Sequence, residues 1–167
     1  RLRHLLNDIS LITRMEDGSQ LIVKESININ RIIDEIADEL AVMPQEEQFT
    51  LHTQFNEQVM IEGNPSLIGS IFRNLTENAI AYSGGKNIYI TLIENNSQYC
   101  SIRFEDDGAG VEEQKIPRLF ERFYRIDKGR SRRLGGTGLG LSIVKHAVQF
   151  HGGSIVASNR KQGGLQF

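Results

Sequence analysis

The spacing of apolar residues along the chain predicts its elements. Leu2, Leu5, Ile9 and Ile12 recur at alternating three- and four-residue steps, with Leu6 beside them, which predicts a helical coiled-coil or bundle seam over residues 1–16. So short a helix is marginal alone in water, and it reads as the tail of a longer helix without its partner. Glu16-Asp17-Gly18-Ser19 ends it as a linker. Gln20–Ile27 reads as extended. Asn28 is placed to cap a helix carrying Ile29, Ile32, Ile33, Ile36, Ala37 and Leu40, which breaks near Pro44. Phe49–Phe55 and Gln58–Ile61 read as a strand pair. Asn64-Pro65 joins a cap to a proline at the first helical position and starts a helix running to about residue 81. Asn87–Asn95 and Gln98–Glu105 alternate as strands across a polar turn. After an irregular stretch from about 107 to 135 come a helix from about 137 to 151, a strand at 154–159 and a last strand from around 164. One mixed sheet covered by helices on one face accommodates this order.

Composition narrows the classes. With 167 residues, 39% of them apolar, the chain has material for one sizeable core plus an appendage. A formal charge of −2 gives no global attraction to nucleic acid or acidic membrane, so anion binding must be local. A local cluster exists, because Arg122, Arg125, Lys128, Arg130, Arg132 and Arg133 fall within twelve residues and only Asp127 opposes them there. Such a run is either a solvated loop or a phosphate-facing lid, and its place before a glycine turn favours the lid. Cys100, the only cysteine, alternates into an apolar strand pattern and reads as a buried, inert thiol. No apolar stretch approaches the ~20 residues needed to span a bilayer, and no secretory signal is evident.

Three segments carry chemistry. Residues 135–141, Gly-Gly-Thr-Gly-Leu-Gly-Leu, open directly into the apolar-periodic run Ser-Ile-Val-Lys-His-Ala-Val. Glycines there let backbone N–H groups approach an anion, and the helix N-terminus adds unpaired donors. Alone, such a cluster reads equally well as a plain turn. Asn74 and Asn78 lie four apart on a helix, so their side chains share a face about 5–6 Å apart. They are either polar staples to nearby backbone or oxygen ligands for a Mg²⁺ ion held on phosphates. Asp106 ends a strand before Gly108 and Gly110. A carboxylate only accepts hydrogen bonds, which suits the exocyclic amine of adenine and rejects guanine; an Asp-Gly turn is the plain alternative.

Together the segments resemble the ATP-binding catalytic domain of sensor histidine kinases, within the GHKL superfamily that also holds gyrase-type ATPases. Asn74 to Tyr82 is similar to the N box, Asp106 to Gly110 to the first glycine box, Phe120-Glu-Arg-Phe-Tyr-Arg125 to the F box, and Gly136 to Leu141 to the second glycine box. The resemblance implies an α/β Bergerat-type sandwich, a mixed sheet covered on one face by three main helices. It divides the chain into the end of a dimerisation hairpin with its linker (1–18) and an ATP-binding catalytic domain (19–167). It implies ATP and Mg²⁺ as cofactors, with Asn78 holding the metal and Asn74 supporting the phosphates. Tyr82 would line the nucleotide near its sugar, Asp106 would read adenine, and Gly108 and Gly110 would shape the pocket edge. A lid from about 111 to 135 would bring Tyr124, Arg125 and Arg130 to the nucleotide, anchored by Phe120 and Phe123. Gly136, Thr137, Gly138, Leu139, Gly140 and Leu141 would present backbone to the phosphates.

The same resemblance implies γ-phosphoryl transfer to a histidine on a helical hairpin in two-component signalling. Expected partners are that hairpin, in cis or on a dimer partner, and a response regulator receiver domain. The parent would be a homodimer, probing a stimulus from the membrane with this portion in the cytoplasm, and no nucleic acid is expected as partner. No general base is assigned: gyrase-type relatives carry a glutamate where this chain has Asn74, and an amide cannot deprotonate water. His4, His52, His146 and His151 lack the acidic and proline-containing context of a phosphoacceptor. Three departures stand out: Ala81 replaces a frequent lysine, Asp107 a commoner asparagine, and Gly163-Gly-Leu-Gln-Phe167 loosens the third glycine box. Ala81 and the loosened third glycine box motivate an alternative, a nucleotide-responsive interaction module that transfers no phosphate.

Overall fold

The computed structural model describes residues 2–17, 23–45, 48–127 and 136–167. Helix α1 (Leu2–Glu16) is followed by β1 (Glu25–Asn28) and α2 (Ile29–Ala41). Next come β2 (Thr50–Gln54), β3 (Met60–Gly63) and α3 (Pro65–Asn78). A π-helical turn over Ala79–Ser83 extends α3 and leads to β4 (Asn87–Asn95) and β5 (Cys100–Asp106). Then follow a 3₁₀ turn (Glu113–Arg118), α4 (Gly140–Phe150), β6 (Ser158–Asn159) and β7 (Leu165–Gln166).

Both asparagine caps form. The Asn28 side chain accepts from Arg31 N at 3.2 Å and that of Asn64 from Leu67 N at 3.1 Å, each relieving a first-turn donor. The strand pair expected between 49–55 and 58–61 does not form. Instead β3 runs antiparallel to β1, with Ile27 opposite Ile61, and β2 lies parallel to β4, with Leu51 opposite Ile88. A close hairpin would have required antiparallel β2 and β3; the parallel pairing instead uses α3 as the crossover. The main sheet has the order β2-β4-β5-β7-β6, with every pair except β2-β4 antiparallel.

On β4, Ile88 and Ile90 are fully buried while Tyr89 between them is half-buried, as expected when one face is covered. Against that face pack Ile33 and Ile36 of α2, Ile68, Phe72 and Leu75 of α3, and Val144 of α4. This is the predicted α/β sandwich. Its other face carries His52 stacked on Tyr89, ring centroids 4.7 Å apart.

Helix α1 is not isolated. Its C-terminal end packs on the rest of the chain, with Ile12 and Met15 buried in a second cluster with Leu67, Leu139, Ile143 and Ala147. Leu6 and Ile9 remain exposed. Helix α3 therefore has two working faces: Ile68, Phe72 and Leu75 serve the main core, and Leu67 serves α1 and α4. Deep burial of Cys100 is corrected, since the thiol is only partly buried and packs at the rim of the core.

Candidate functional site

Asp106, at the last position of β5, is only 4% exposed. Its Oδ1 accepts from Gly108 N at 3.0 Å and from Leu165 N at 3.2 Å, and Oδ2 carries no hydrogen bond among the described residues. Burial pushes its pKa up; the two backbone donors and the Arg160 guanidinium pull toward the ionised form, against the neighbouring Asp107 charge. The next residue acts as a clamp. Asp107 Oδ1 accepts from the backbone N–H groups of Lys86 and Asn87, and Oδ2 from the Asn87 amide, all at 2.8 Å. Desolvation pushes the Asp107 carboxyl up, but the Asn87 and Lys86 donors outweigh it and hold the pKa low. Ala109 N donates to Ser83 O at 3.0 Å, tying the turn that carries Tyr82 to the Asp106 loop. Gly110 abuts Asn159, whose amide accepts from Val111 N at 2.9 Å and donates to Val111 O at 2.6 Å.

The two asparagines of α3 differ. Asn74 Nδ2 donates to Ser70 O at 2.8 Å, and its Oδ1 lies 3.0 Å from where a Cβ on Gly140 would stand. The amide is thus fixed at the start of α4. Asn78, on the last turn of α3, is half-buried, and its amide has no partner among the described residues. An amide oxygen left available in a polar recess fits a hard cation, which takes oxygen ligands and shares them with phosphates. Among the described residues no group of three or more His, Cys, Asp or Glu side chains could hold a metal ion.

Glycine-turn and F-box backbones interlock. Phe123 N donates to Gly138 O at 2.8 Å, and a Cβ on Gly138 would stand 2.8 Å from Phe123 Cα. Both residues have left-handed backbone, φ 64° at Phe123 and 75° at Gly138. Arg125 donates to the Gly136 carbonyl. Thr137 Oγ1 accepts from Leu139 N at 3.2 Å. Leu139 is buried, and Leu141 packs against the main core. Helix α4 begins at Gly140 without a side-chain cap, which leaves first-turn N–H groups for an anion. Tyr124 lies under the Arg118 guanidinium, 4.2 Å from its ring centroid. Arg118, Glu121, Arg122, Phe123, Tyr124 and Arg125 line a cleft of ≈ 230 Å³. Arg130 lies outside the described residues.

Residues 63–167 match the family described as histidine kinase-, DNA gyrase B-, and HSP90-like ATPase. The chain belongs to this family. Within the family it is 34% identical over 161 residues, 95% of its length, to the sensor protein kinase WalK of Staphylococcus haemolyticus. WalK of Staphylococcus aureus matches at the same identity. The chain spans 26% of the length of the first relative, about a quarter. Among solved structures, the catalytic domain of histidine kinase ThkA is 26% identical with a TM-score of 0.71, covering 86% of this chain and 93% of that one. Full-length ShkA in complex with AMPPNP shares the fold at a TM-score of 0.79 and 21% identity, covering 99% of this chain and 34% of that one. These matches identify an ATP-binding catalytic domain of the sensor histidine kinase type.

In this ATPase-family domain the boxes come together in pairs: Ser83, next to the exposed Tyr82, with the Asp106 loop, Asn74 with Gly140, and Arg125 with Gly136. The expected anchors divide. Phe120 packs edge-on against Phe167, ring centroids 6.2 Å apart, whereas Phe123 is 60% exposed and anchors nothing by its side chain. Its contribution is the backbone bond to Gly138. Arg122, unassigned from sequence, ion-pairs with Glu16 of α1 and lies 3.4 Å from His146 Nε2 of α4. His151 is a tie, accepting from Asn64 N at 3.0 Å through Nε2 with Nδ1 2.6 Å from Ala147 O. Asn159, Arg160 and the Leu165 N–H also went unassigned. Only the paired glycines before Leu165 marked that region as a tight loop.

Proposed function

We propose that this domain binds Mg·ATP and donates the γ-phosphoryl group to a histidine on a helical hairpin, in the autophosphorylation step of two-component signalling. The observation carrying the adenine reading is the buried Asp106 carboxylate, with both backbone donors gathered on Oδ1 and Oδ2 left as acceptor. An acceptor-only group there pairs with the adenine amine and opposes the guanine carbonyl. Asn78 would hold Mg²⁺, and Asn74 would sit beside the phosphates at the uncapped start of α4. Bound magnesium supplies charge neutralisation at the phosphates. Arg125 and the backbone of Gly136 to Leu141 orient the phosphate chain, and Tyr82 lines the sugar side. Gly108 and Gly110 set the pocket edge, with Tyr124 and Arg130 contributed by the lid. No described residue here is assigned as a base, in keeping with a transfer that depends largely on positioning and electrostatics.

In the parent protein the partners are the phosphoacceptor hairpin and a receiver domain, in a homodimeric, membrane-anchored sensor whose cytoplasmic part contains this domain. No helix among the described residues is long and apolar enough to cross a membrane. The test has two stages. Titration calorimetry should show magnesium-dependent ATP binding, weak GTP binding, and about a hundredfold loss of ATP affinity in Asp106→Asn. With the matching hairpin and γ-labelled ATP, an acid-labile phosphohistidine is expected. Tight ATP binding without it would favour the nucleotide-responsive module that transfers no phosphate.

A further inference from the structure

The turn joining β6 to β7 delivers Leu165 N–H to Asp106, and one side chain fastens that turn to the sheet. Arg160 Nε lies 2.8 Å from Glu105 Oε2, and both side chains are about one-seventh exposed, at 15% and 14%. The guanidinium also covers the Tyr89 ring, 4.8 Å from its centroid. Its Nη1 reaches two carbonyls at 3.4 Å, that of Asp106 and that of Gly163 in the turn. The turn closes through Arg160 N to Gly164 O at 2.8 Å and Gly163 N to Arg160 O at 3.1 Å. Gly164, at φ 102°, has no room for a Cβ beside the Asp106 carbonyl.

We propose that Arg160 is a specificity-determining positioning residue: pinned by Glu105 and Tyr89, its guanidinium sets the orientation of the Asp106 carboxylate that reads adenine. This rests on the adenine reading given above. The guanidinium suits the task, because its charge pairs with the Glu105 carboxylate through Nε while Nη1 reaches carbonyls on two chain segments. A lysine offers one point charge on a flexible stem and cannot span Glu105 and both carbonyls. Without the guanidinium, the turn bearing Leu165 N keeps its own backbone bonds and the short β7 pairing but loses its side-chain tie to β5. Asp106 is then free to turn Oδ2 away from its aim, and discrimination between an amine and a carbonyl falls while the sugar and phosphate contacts persist.

The experiment measures ATP and GTP affinities of the whole chain in Arg160→Met, Arg160→Lys and Glu105→Gln, with the wild type and Asp106→Asn as references. Thermal melts run alongside. Arg160→Met should lose roughly tenfold in ATP affinity with GTP affinity unchanged, so the ATP/GTP ratio narrows by that factor. Arg160→Lys should recover part of the ratio, and Glu105→Gln should narrow it in the same direction. A purely structural role would lower the melting temperature and weaken both nucleotides equally, which would overturn the proposal. An unchanged ratio in Arg160→Met would also overturn it, provided the wild type binds ATP through Asp106. Loss of the adenine reading itself has a different signature: the wild type would not prefer ATP, or Asp106→Asn would bind ATP like the wild type. Should Arg160→Met fail to fold, Arg160→Lys and Glu105→Gln carry the same comparison.

Discussion

The two ends of the proposed nucleotide site are built differently. At the adenine end a carboxylate is fixed by backbone donors from two loops, and those loops are closed by Asp107, Asn159 and Arg160. At the proposed phosphate end, among the described residues, Phe123 N and the Arg125 side chain bond the glycine turn to the F box. It is held to the rest of the fold by the burial of Leu139. The first end is part of the sheet's own hydrogen-bonding and is tied down further by the Arg160 side chain. The second meets α1 through the same buried cluster that contains Leu139, so it answers to whatever moves that helix. The Asp106 end is thus separate from the cluster that holds α1, whereas the glycine-turn end packs against that helix.

Substituting one glycine at each end is the strongest way to break this contrast. Gly164→Ala adds a Cβ where the Asp106 carbonyl stands, on a left-handed backbone, and should destabilise the domain by about 2–4 kcal/mol in denaturant melts, with ATP binding lost. Gly138→Ala meets the Phe123 backbone and also sits on left-handed backbone, and should cost about 1–2 kcal/mol. Its larger effect should be on ATP, with adenosine binding preserved. Equal loss of adenosine and ATP in Gly138→Ala would erase the distinction between the ends.

A smaller effect sharpens the coupling to α1. Burial lowers the His146 pKa, with the Arg122 and Lys145 charges adding to it. A histidine whose folded pKa lies below the unfolded value of 6.5 leaves its stabilising contribution intact above 6.5. That contribution is lost as pH falls through the lower folded pKa, while protonation also repels Arg122. Stability should therefore fall below about pH 6.5, and His146→Gln should flatten the profile in thermal melts. Arg122→Ala should itself change stability by less than about 1 kcal/mol, because its ion pair with Glu16 is exposed. The smallest effect lies away from both ends. Thr76 Oγ1 is buried without a hydrogen-bond partner among the described residues, so Thr76→Val should be neutral or stabilise by about 1 kcal/mol, leaving nucleotide binding unchanged.

How far the sequence reached follows the same division. Periodicity and caps located α2, α3, β4 and β5 because these depend on side-chain pattern and local bonds. Asp106 was legible for the same reason, as a carboxylate at a strand end before glycines. Its second donor was not, because a backbone N–H has no residue type and Leu165 lies 59 positions away. The loosened third glycine box illustrates the point: Leu165 lacks the hydroxyl usual there, yet the described contact with Asp106 uses only its backbone. Strand partners were misassigned where pattern is silent, since β2 and β3 look alike whether they pair with each other or with β4 and β1. The π turn over Ala79–Ser83 continued the α3 pattern and was read as ordinary helix.

The bond from Leu165 to Asp106 has a kinetic side as well. Phe104 and Phe167 exchange both backbone hydrogen bonds, at 3.0 and 2.8 Å, so the strand bearing Asp106, the proposed base reader, is completed by residues far along the chain. Contacts of such long sequence separation carry a loop-closure cost that local helices avoid. A chain whose helices have formed but whose β7 has not yet docked holds the Asp106 carboxylate without its second donor. Nucleotide preference therefore reports completion of the sheet rather than collapse of the core, and in a refolding experiment adenine selectivity should be among the last properties to return.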